Sequence, residues 1–433
     1  MADAILAGEF SVESIADRCE VLLGKRWRWI RPLARRVTTR FGSKTRPRRR
    51  DLMGFLRQDR GFRRAQSRHS FDVDRSRIML APQKMQPVAP AAGWDVPVIE
   101  SVRQLAEWLE INPENLLWFA DLKGLEYRES PVKVTHYHYR ALPKASGGIR
   151  LIEMPKQRLK TLQRQILTQI LDKIPPLPEV HGFVKGRSIK SFVAPHSGQQ
   201  VVLRMDLQNF FPSFRAARVQ ALFRTMGYPE QVADLLTGIC TNTAPRSAWR
   251  SANLHLSAEQ LRETWEVYSR PHLPQGSPAS PALANLCAYR LDCRLRGLAR
   301  SAGAAYTRYA DDLAFSGGEA FSRRVELFSL HLAAIALEEG FAAQHHKTRI
   351  MRQGVRQHLA GLVINDRPNI IRRDRDLLEA ILINCLRHGP TMQNRDNHPH
   401  FRSHIDGCVA FLEMIHPARG ARFREMFRQI DWT

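Results

Sequence analysis

Three aspartates stand where their surroundings should reject them. Asp311 and Asp312 lie side by side in YTRYADDLAFSG (306–317), between two apolar, aromatic-rich runs. Asp206 closes VVLRMD (201–206), a near-continuous apolar run. A carboxylate at the end of a buried strand is costly unless it is paired or binds a cation, and adjacent like charges repel. Simpler readings compete at each place. Asp206 would also suit the N-cap of a helix that starts after Pro212, and Asp311-Asp312 would also suit an exposed turn. The rest of the chain decides whether the acids have work to do.

The elements that must position them are readable from patterning. AAYTRYA and LAFSG read as two strands of a tight hairpin with the paired acids at its turn. Upstream, YRALP and IRLIEMP read as strands around the turn KASGG, with Lys144 near the tip and Arg150 just after it. KQRLKTLQRQILTQILDKI follows as a basic amphipathic helix. Residues 96–130 show helical periodicity, with Leu105, Trp108, Leu109, Leu116 and Leu117 as core positions, and Asn112-Pro113 marks a helix start. The segment HGFVKGRSIKSFVAPH (181–196) adds Lys185, Arg187 and Lys190 among glycines that let backbone amides approach phosphates.

Composition narrows the partner. The 433 residues hold 66 Lys+Arg against 42 Asp+Glu, a net charge of +24, which points to nucleic acid first and an anionic membrane surface second. No apolar span is long enough to cross a bilayer and the N-terminus lacks a signal-peptide pattern. The six cysteines form no C-x-x-C pair or zinc spacing and read as reduced thiols of a cytoplasmic protein. Residues 1–90 contain an acid-free run, GKRWRWIRPLARRVTTRFGSKTRPRRR, which reads either as a solvated arm or, since Trp27, Trp29 and Phe41 interleave with arginines, as a segment suited to stacking on bases or anchoring to phosphates. The Pro/Ala-rich APQKMQPVAPAAGWDVP then reads as a linker.

Strand-borne Asp206, the segment LPQGSPASPALANL (273–286), the Asp311-Asp312 hairpin and HHKTRI (345–350) follow the order of a polymerase palm, and ALPKASGGIRLIEMP and HGFVKGRSI precede them. Over about residues 96–425 the chain resembles the reverse transcriptases, and among them the bacterial retron-type enzymes. The resemblance implies an α+β right-hand polymerase with a basic N-terminal extension and linker over 1–95. It places fingers over 96–200 with part of 215–275, an antiparallel-sheet palm over 201–370 and a helical thumb over 371–433. It implies RNA-directed DNA synthesis with two Mg2+ ions, since nucleotidyl transfer needs an activated 3′-hydroxyl and a neutralised pyrophosphate. Metal ligands are then Asp206, Leu207, Asp311 and Asp312, with Asp206 and Asp311 principal and Asp312 assisting. Lys347 would protonate departing pyrophosphate. Lys144 and Arg150 would grip the triphosphate, Gln275 and Gly276 would position template and nucleotide, and Tyr309 would pack beneath the primer terminus. Phe211, five residues after Asp206, would sit under the sugar and reject a 2′-hydroxyl, whereas Phe210 is expected in the core. Lys185, Arg187, Lys190 and His196 would face the template strand.

The implied partners are a template RNA, in retrons a dedicated structured non-coding one, its DNA product, dNTPs, host RNase H in trans and an effector protein, with no membrane. Anti-phage defence is the biological role the resemblance carries. Two retron hallmarks are altered: Phe192-Val193-Ala194-Pro195-His196 keeps only the histidine of Asn-Ala-x-x-His, and Leu359-Ala360-Gly361 replaces Val-Thr-Gly. Group II intron-like and other bacterial reverse transcriptases therefore stay open, as does an idle RNA-binding palm scaffold. A viral RNA-dependent RNA polymerase would normally carry Gly-Asp-Asp and would not need a ring at 211.

Overall fold

The computed structural model describes residues 1–42, 46–69, 83–124, 135–144, 148–250 and 257–432. They form two compact units, Met1–Pro175 with Phe211–Cys287, and Pro176–Phe210 with Ala288–Thr433. Among the described residues no helix is long and apolar enough to cross a membrane, and the six cysteines form no disulfide.

The first unit opens with five helices, α1 (Ala2–Leu6), α2 (Val12–Leu23), α3 (Ile30–Phe41), α4 (Arg49–Gln58) and α5 (Arg60–Arg68). Their apolar stripes close a core of their own, from Ile5 and Ile15 through Leu33 and Val37 to Leu52 and Phe62. Trp27, Trp29 and Phe41 pack against that core. This corrects the expectation that these rings are set out for stacking on bases. The proline-rich linker is also corrected where it is described: Lys84 N donates to Gly8 O, Gln86 N to Gly227 O and Val88 N to Thr225 O, so residues 84–88 run as a strap. Its first residues, 81 and 82, lie outside the described residues. Gly227 (φ +98°) has no room for a side chain there, because an added Cβ would stand 2.3 Å from Pro87 N.

Helices α6 (Val102–Trp108) and α7 (Pro113–Ala120) follow, and the Asn112 side chain caps α7 by accepting from Asn115 N at 2.7 Å. Leu105, Leu109 and Leu116 are buried as expected; Leu117 is not, at 55% exposed on the outer face of α7. Strands β1 (Tyr137–Pro143) and β2 (Ile149–Pro155) pair antiparallel as the foreseen hairpin. Residues 145–147 of its turn lie outside the described residues. α8 (Gln157–Gln169) is the basic amphipathic helix, with Leu159, Leu162 and Ile166 turned inward.

The second unit carries the sheet that holds the acids. β3 (Val201–Asp206), β4 (Ala305–Tyr309), β5 (Asp312–Gly317) and β6 (Arg349–Arg352) align antiparallel in the order β4-β5-β3-β6. Val201, Val202, Leu203 and Met205 are all buried, which is why β3 reads as an unbroken apolar run rather than an alternating one. Beyond β6, the two-residue strands β7 (His358–Leu359), β8 (Leu362–Val363) and β9 (Asn369–Ile370) make a small sheet. Ala360 (φ +46°) and Gly361 (φ +81°) form the two-residue β7–β8 turn. Positive φ at both central positions is what the type I′ form of a two-residue hairpin requires. Three C-terminal helices, Arg372–His388, Phe401–Ile415 and Pro417–Gln429, close around Leu382, Val409, Leu412 and Phe423.

Candidate active site

β3 and β5 pair so that Asp206 stands directly opposite Asp312. Like charges at opposed positions destabilise a sheet, and the protein answers with a cation from the same strand. The Arg204 guanidinium, two residues before Asp206 and therefore on the same face of β3, donates to both Asp312 oxygens at 2.6 and 2.9 Å and lies 3.1 Å from Asp206 Oδ1. Lys347 Nζ approaches Asp206 Oδ2 at 3.0 Å from a short 3₁₀ turn, His345–Lys347. Asp206 is 5% exposed, and its Oδ1 accepts no hydrogen bond despite the nearby guanidinium. Burial pushes the Asp312 carboxyl up to about 7, against the opposing pull of Arg204.

Asp311 occupies the turn beside Ala310, whose φ is +55°. A non-glycine residue there is strained, and the strain is held in place from both sides. The Asp311 carbonyl accepts from Leu207 N at 2.9 Å. On the other side Gly182 presses on the turn so closely that an added Cβ would lie 2.6 Å from Ala310 N. Segment 179–182 runs beside β4, with Arg308 N donating to Glu179 O and His181 N to Arg308 O, both at 2.8 Å. The glycine-rich HGFVKG motif is thereby brought against the paired acids.

Beneath the turn lies a buried ion pair that patterning did not reveal. Arg308 is wholly buried and meets Asp292 through two 2.7 Å hydrogen bonds, and Tyr306 Oη donates to the same carboxylate at 2.7 Å. Arg308 also reaches Ala310 O at 3.1 Å, so this network props the acid turn from inside. Phe210 is buried as expected, stacked on Phe341 at 6.0 Å.

His196 is corrected. It is 0% exposed, with Nδ1 2.6 Å from Ser316 Oγ and Nε2 2.7 Å from Thr307 Oγ1, so it pins β4 to β5 and has no face for a template. Burial drives its imidazole down to about 3, keeping it neutral. Arg187 donates to the Leu177, Pro178 and Val180 carbonyls, and Lys190 to Met414 O, whereas Lys185 is exposed. Tyr309 packs on Phe192, and the exposed Phe183 ring lies 6.3 Å from it. Phe183, with φ +58°, is a residue that patterning did not single out; its signal is an aromatic side chain between Gly182 and Gly186, two positions before Lys185.

Lys144, Arg150, Phe211, Gln275 and Gly276 belong to the other unit. There Glu153 N donates to Gln275 O at 2.9 Å, which lays the LPQG loop on β2 of the hairpin that carries Arg150 and adjoins Lys144. Gly276 (φ +138°) is required, since a Cβ would stand 2.6 Å from Glu153 O. The Glu153 carboxylate is buried against His272 Nε2 at 3.0 Å and accepts from Asn242 at 2.8 Å. Phe211 is half-buried.

The donors around Asp206 are hard oxygens, as a divalent ion of the magnesium class prefers. The Leu207 carbonyl accepts no hydrogen bond among the described residues. With Asp206 Oδ1, which faces the Arg204 guanidinium but accepts no hydrogen bond, it supplies ligand capacity, so the residues fit such an ion. In the present conformation Arg204 and Lys347 provide the balancing charge, and no three acidic, imidazole or thiol groups among the described residues converge as a closed metal cage.

Residues 142–364 match the family model described as reverse transcriptase (RNA-dependent DNA polymerase). The chain belongs to the reverse transcriptases. Its curated relatives are of the retron type. It is 40% identical to the retron Mx65 reverse transcriptase of Myxococcus xanthus, over 67% of this chain and 64% of that one. It is 33% identical to the retron Mx162 enzyme of the same organism, over 77% and 68%, and 32% identical to the retron Ec86 enzyme of Escherichia coli, over 65% and 76%. The alignments thus span about two thirds to three quarters of these relatives' lengths. A solved foamy viral protease-reverse transcriptase is similar at 16% identity and TM-score 0.32, covering 68% of this chain and 43% of that one; the assignment to the family rests on the sequence matches.

Proposed function

We propose that this retron-type chain is an RNA-directed DNA polymerase that extends a primer on an RNA template. The observation that carries the reading is the convergence of Asp206, Asp312 and the strained Asp311 turn at one end of the two central strands of the sheet, held by Arg204 and Lys347. Asp206, Asp311 and the Leu207 carbonyl are the groups that would hold divalent ions. Bound there, two such ions supply activation of the primer 3′-hydroxyl and neutralisation of pyrophosphate. The primer 3′-oxygen would give up its proton to solvent as it forms the new bond to the α-phosphorus, the bond from that phosphorus to the pyrophosphate oxygen would break, and Lys347 Nζ would give the leaving group a proton that solvent then restores.

Asp312 takes the assisting role, since Arg204 already claims both its oxygens. Lys144 and Arg150 grip the triphosphate, and Gln275 and Gly276 hold the template-nucleotide pair through the loop fixed on β2. Phe211 selects the deoxy sugar. Tyr309 and Phe183 meet the primer-template, and Lys185 is the cation of its loop best placed for phosphate. The reading carries with it fingers over 96–200 with part of 215–275, a palm over 201–370 and a thumb over 371–433. The template is a dedicated structured RNA with a DNA product, and defence against phage with an effector protein is the role this reading carries.

Purified protein with an RNA template, DNA primer, dNTPs and MgCl2 tests the chemistry. Extension is expected, and Asp311→Ala/Asp312→Ala should abolish it. Failure of the wild-type chain to extend, or extension that survives the double substitution, overturns the reading. Sequencing nucleic acid that co-purifies from the native host, with the same variant as control, identifies the template: a discrete DNA joined to or paired with one RNA is expected only in the wild type.

A further inference from the structure

The N-terminal helices leave a second basic surface whose chemistry differs from that of the palm. Between residues 25 and 69 the chain has only two acids, Asp51 and Asp59, and both are already engaged, with Arg50 and Arg36. The arginines that remain are arranged by helix geometry. Arg31 and Arg35 lie four residues apart on the exposed side of α3, opposite buried Leu33, Ala34 and Val37. Arg60, Arg64 and Arg68 repeat at the same interval on α5, opposite Phe62 and Ala65. None of these five is in an ion pair among the described residues. Four residues of helix advance about 6 Å, a scale comparable with the charge spacing of a nucleic-acid backbone.

The two ridges are neighbours on a rigid base. Arg36 of α3 pairs with Asp59, the N-cap of α5, at 2.7 and 2.8 Å, and Trp29 packs on Phe62 at 5.8 Å. The base is tied down in turn: Arg48 meets Gln220, Arg49 N donates to Glu230 at 2.9 Å, and the 84–88 strap joins Gly227. A solvated, disordered arm would lose conformational freedom on binding; a preformed ridge has already lost it on folding.

We propose that the α3–α5 face is a docking surface for the phosphate backbone of a double-stranded RNA stem. The inference rests on the RNA-templated reading above for its choice of RNA. Single-stranded nucleic acid is held largely by stacking on exposed rings, and here Trp27, Trp29, Phe41 and Phe55 are all packed on the module's own core. A membrane-surface helix needs its apolar face free for lipid, and the apolar faces of α3 and α5 are buried in that same core. What is presented is fixed positive charge without rings or apolar surface, which suits a duplex read by shape and backbone.

The test uses the full-length chain and a closed RNA stem of about 16 base pairs, looped at both ends so that it offers no 3′-hydroxyl. Arg31, Arg35, Arg60, Arg64 and Arg68 are replaced together by Ala, and in a second variant by Lys. The Ala variant should bind the stem about tenfold or more weakly and show a shallower dependence of log affinity on log salt, because fewer counterions are released. The Lys variant should recover most of the affinity, with melting temperature and extension of a generic primer-template unchanged in both. Unchanged stem affinity in the Ala variant overturns the proposal. So does equal weakening on an unstructured RNA of the same length, a preference for a DNA duplex, or arginine-dependent binding to phosphatidylserine vesicles with none to the stem. A wild-type chain that fails to extend primers but binds the stem through these arginines would sink the polymerase reading alone.

Discussion

Charge balance among a few side chains sets the behaviour of the acid site. Asp206 and Asp312 face each other across β3 and β5, and Arg204 is the shared counterion. An ion entering beside Asp206 competes with that guanidinium for the same oxygens. Replacing Arg204 by Ala should therefore lower the melting temperature without added metal, and should enlarge the stabilisation conferred by MgCl2, since ligand binding to the folded state adds to stability. Melting curves with and without metal decide it; identical metal shifts in both proteins would remove Arg204 from the balance. A second prediction concerns His196. Its folded pKa near 3 lies below the ordinary value of 6.5, so the unfolded chain takes up the proton first. Stability is then full above about 6.5 and falls as pH drops below it, by up to about 1.4 kcal/mol per pH unit for one such group. His181, lowered to about 4 by burial and by Arg187, adds in the same direction. Melting followed from pH 8 to pH 5 should show this decline, and His196→Gln should flatten it while lowering the plateau.

At the scale of elements, local patterning revealed much and long-range pairing little. The β1–β2 hairpin, the strand ending at Asp206, the acid hairpin and the Asn112 cap were all legible, because each is written in adjacent residues or in period-two and period-3.6 spacing. The counterions were not. Arg204 finds Asp312 across 108 residues, and His196 finds Thr307 and Ser316 across 111 and 120. Patterning says that a strand is buried, not which polar side chain will meet it there. The same blindness made Trp27 and Trp29 look exposed among arginines, since the helices that cover them begin twenty or more residues later. The LPQG loop shows what such pairing does for the site: Gly276 fits only because nothing projects toward Glu153 O. Gly276→Ala, which meets both a positive φ and that oxygen, should shift the loop off β2 at a local cost of order 1–3 kcal/mol. Primer extension at limiting dNTP should fall about tenfold or more, while the second unit's acid cluster stays intact. Unaltered dNTP dependence would show that the loop's seat on β2 does not govern nucleotide use.

For the whole chain, the N-terminal region changes meaning once its packing is considered. Read as an arm, residues 1–90 could be removed with generic primer extension intact and only the use of the native template reduced. Packed as five helices and a strap, they cover polar and apolar groups of the first unit: Arg224 donates to Arg46 O, Gln220 meets Arg48, and Thr225 O and Gly227 O accept from the strap. Their removal would strip Thr225 O and Gly227 O of their donors and uncover the surface beneath Pro87, and each hydrogen bond so lost to water costs about 0.5–1.5 kcal/mol. A chain lacking residues 1–95 should consequently melt several degrees lower and lose generic primer extension along with native-template use. The arginine-to-alanine surface variant should lose neither, because it leaves the core and the strap untouched. Calorimetry of the truncated and full chains, with extension measured in parallel, separates the two accounts. If the truncated chain melts with the full one and extends a generic primer equally well, the helices are an appendage after all, and their contribution is confined to the RNA they hold.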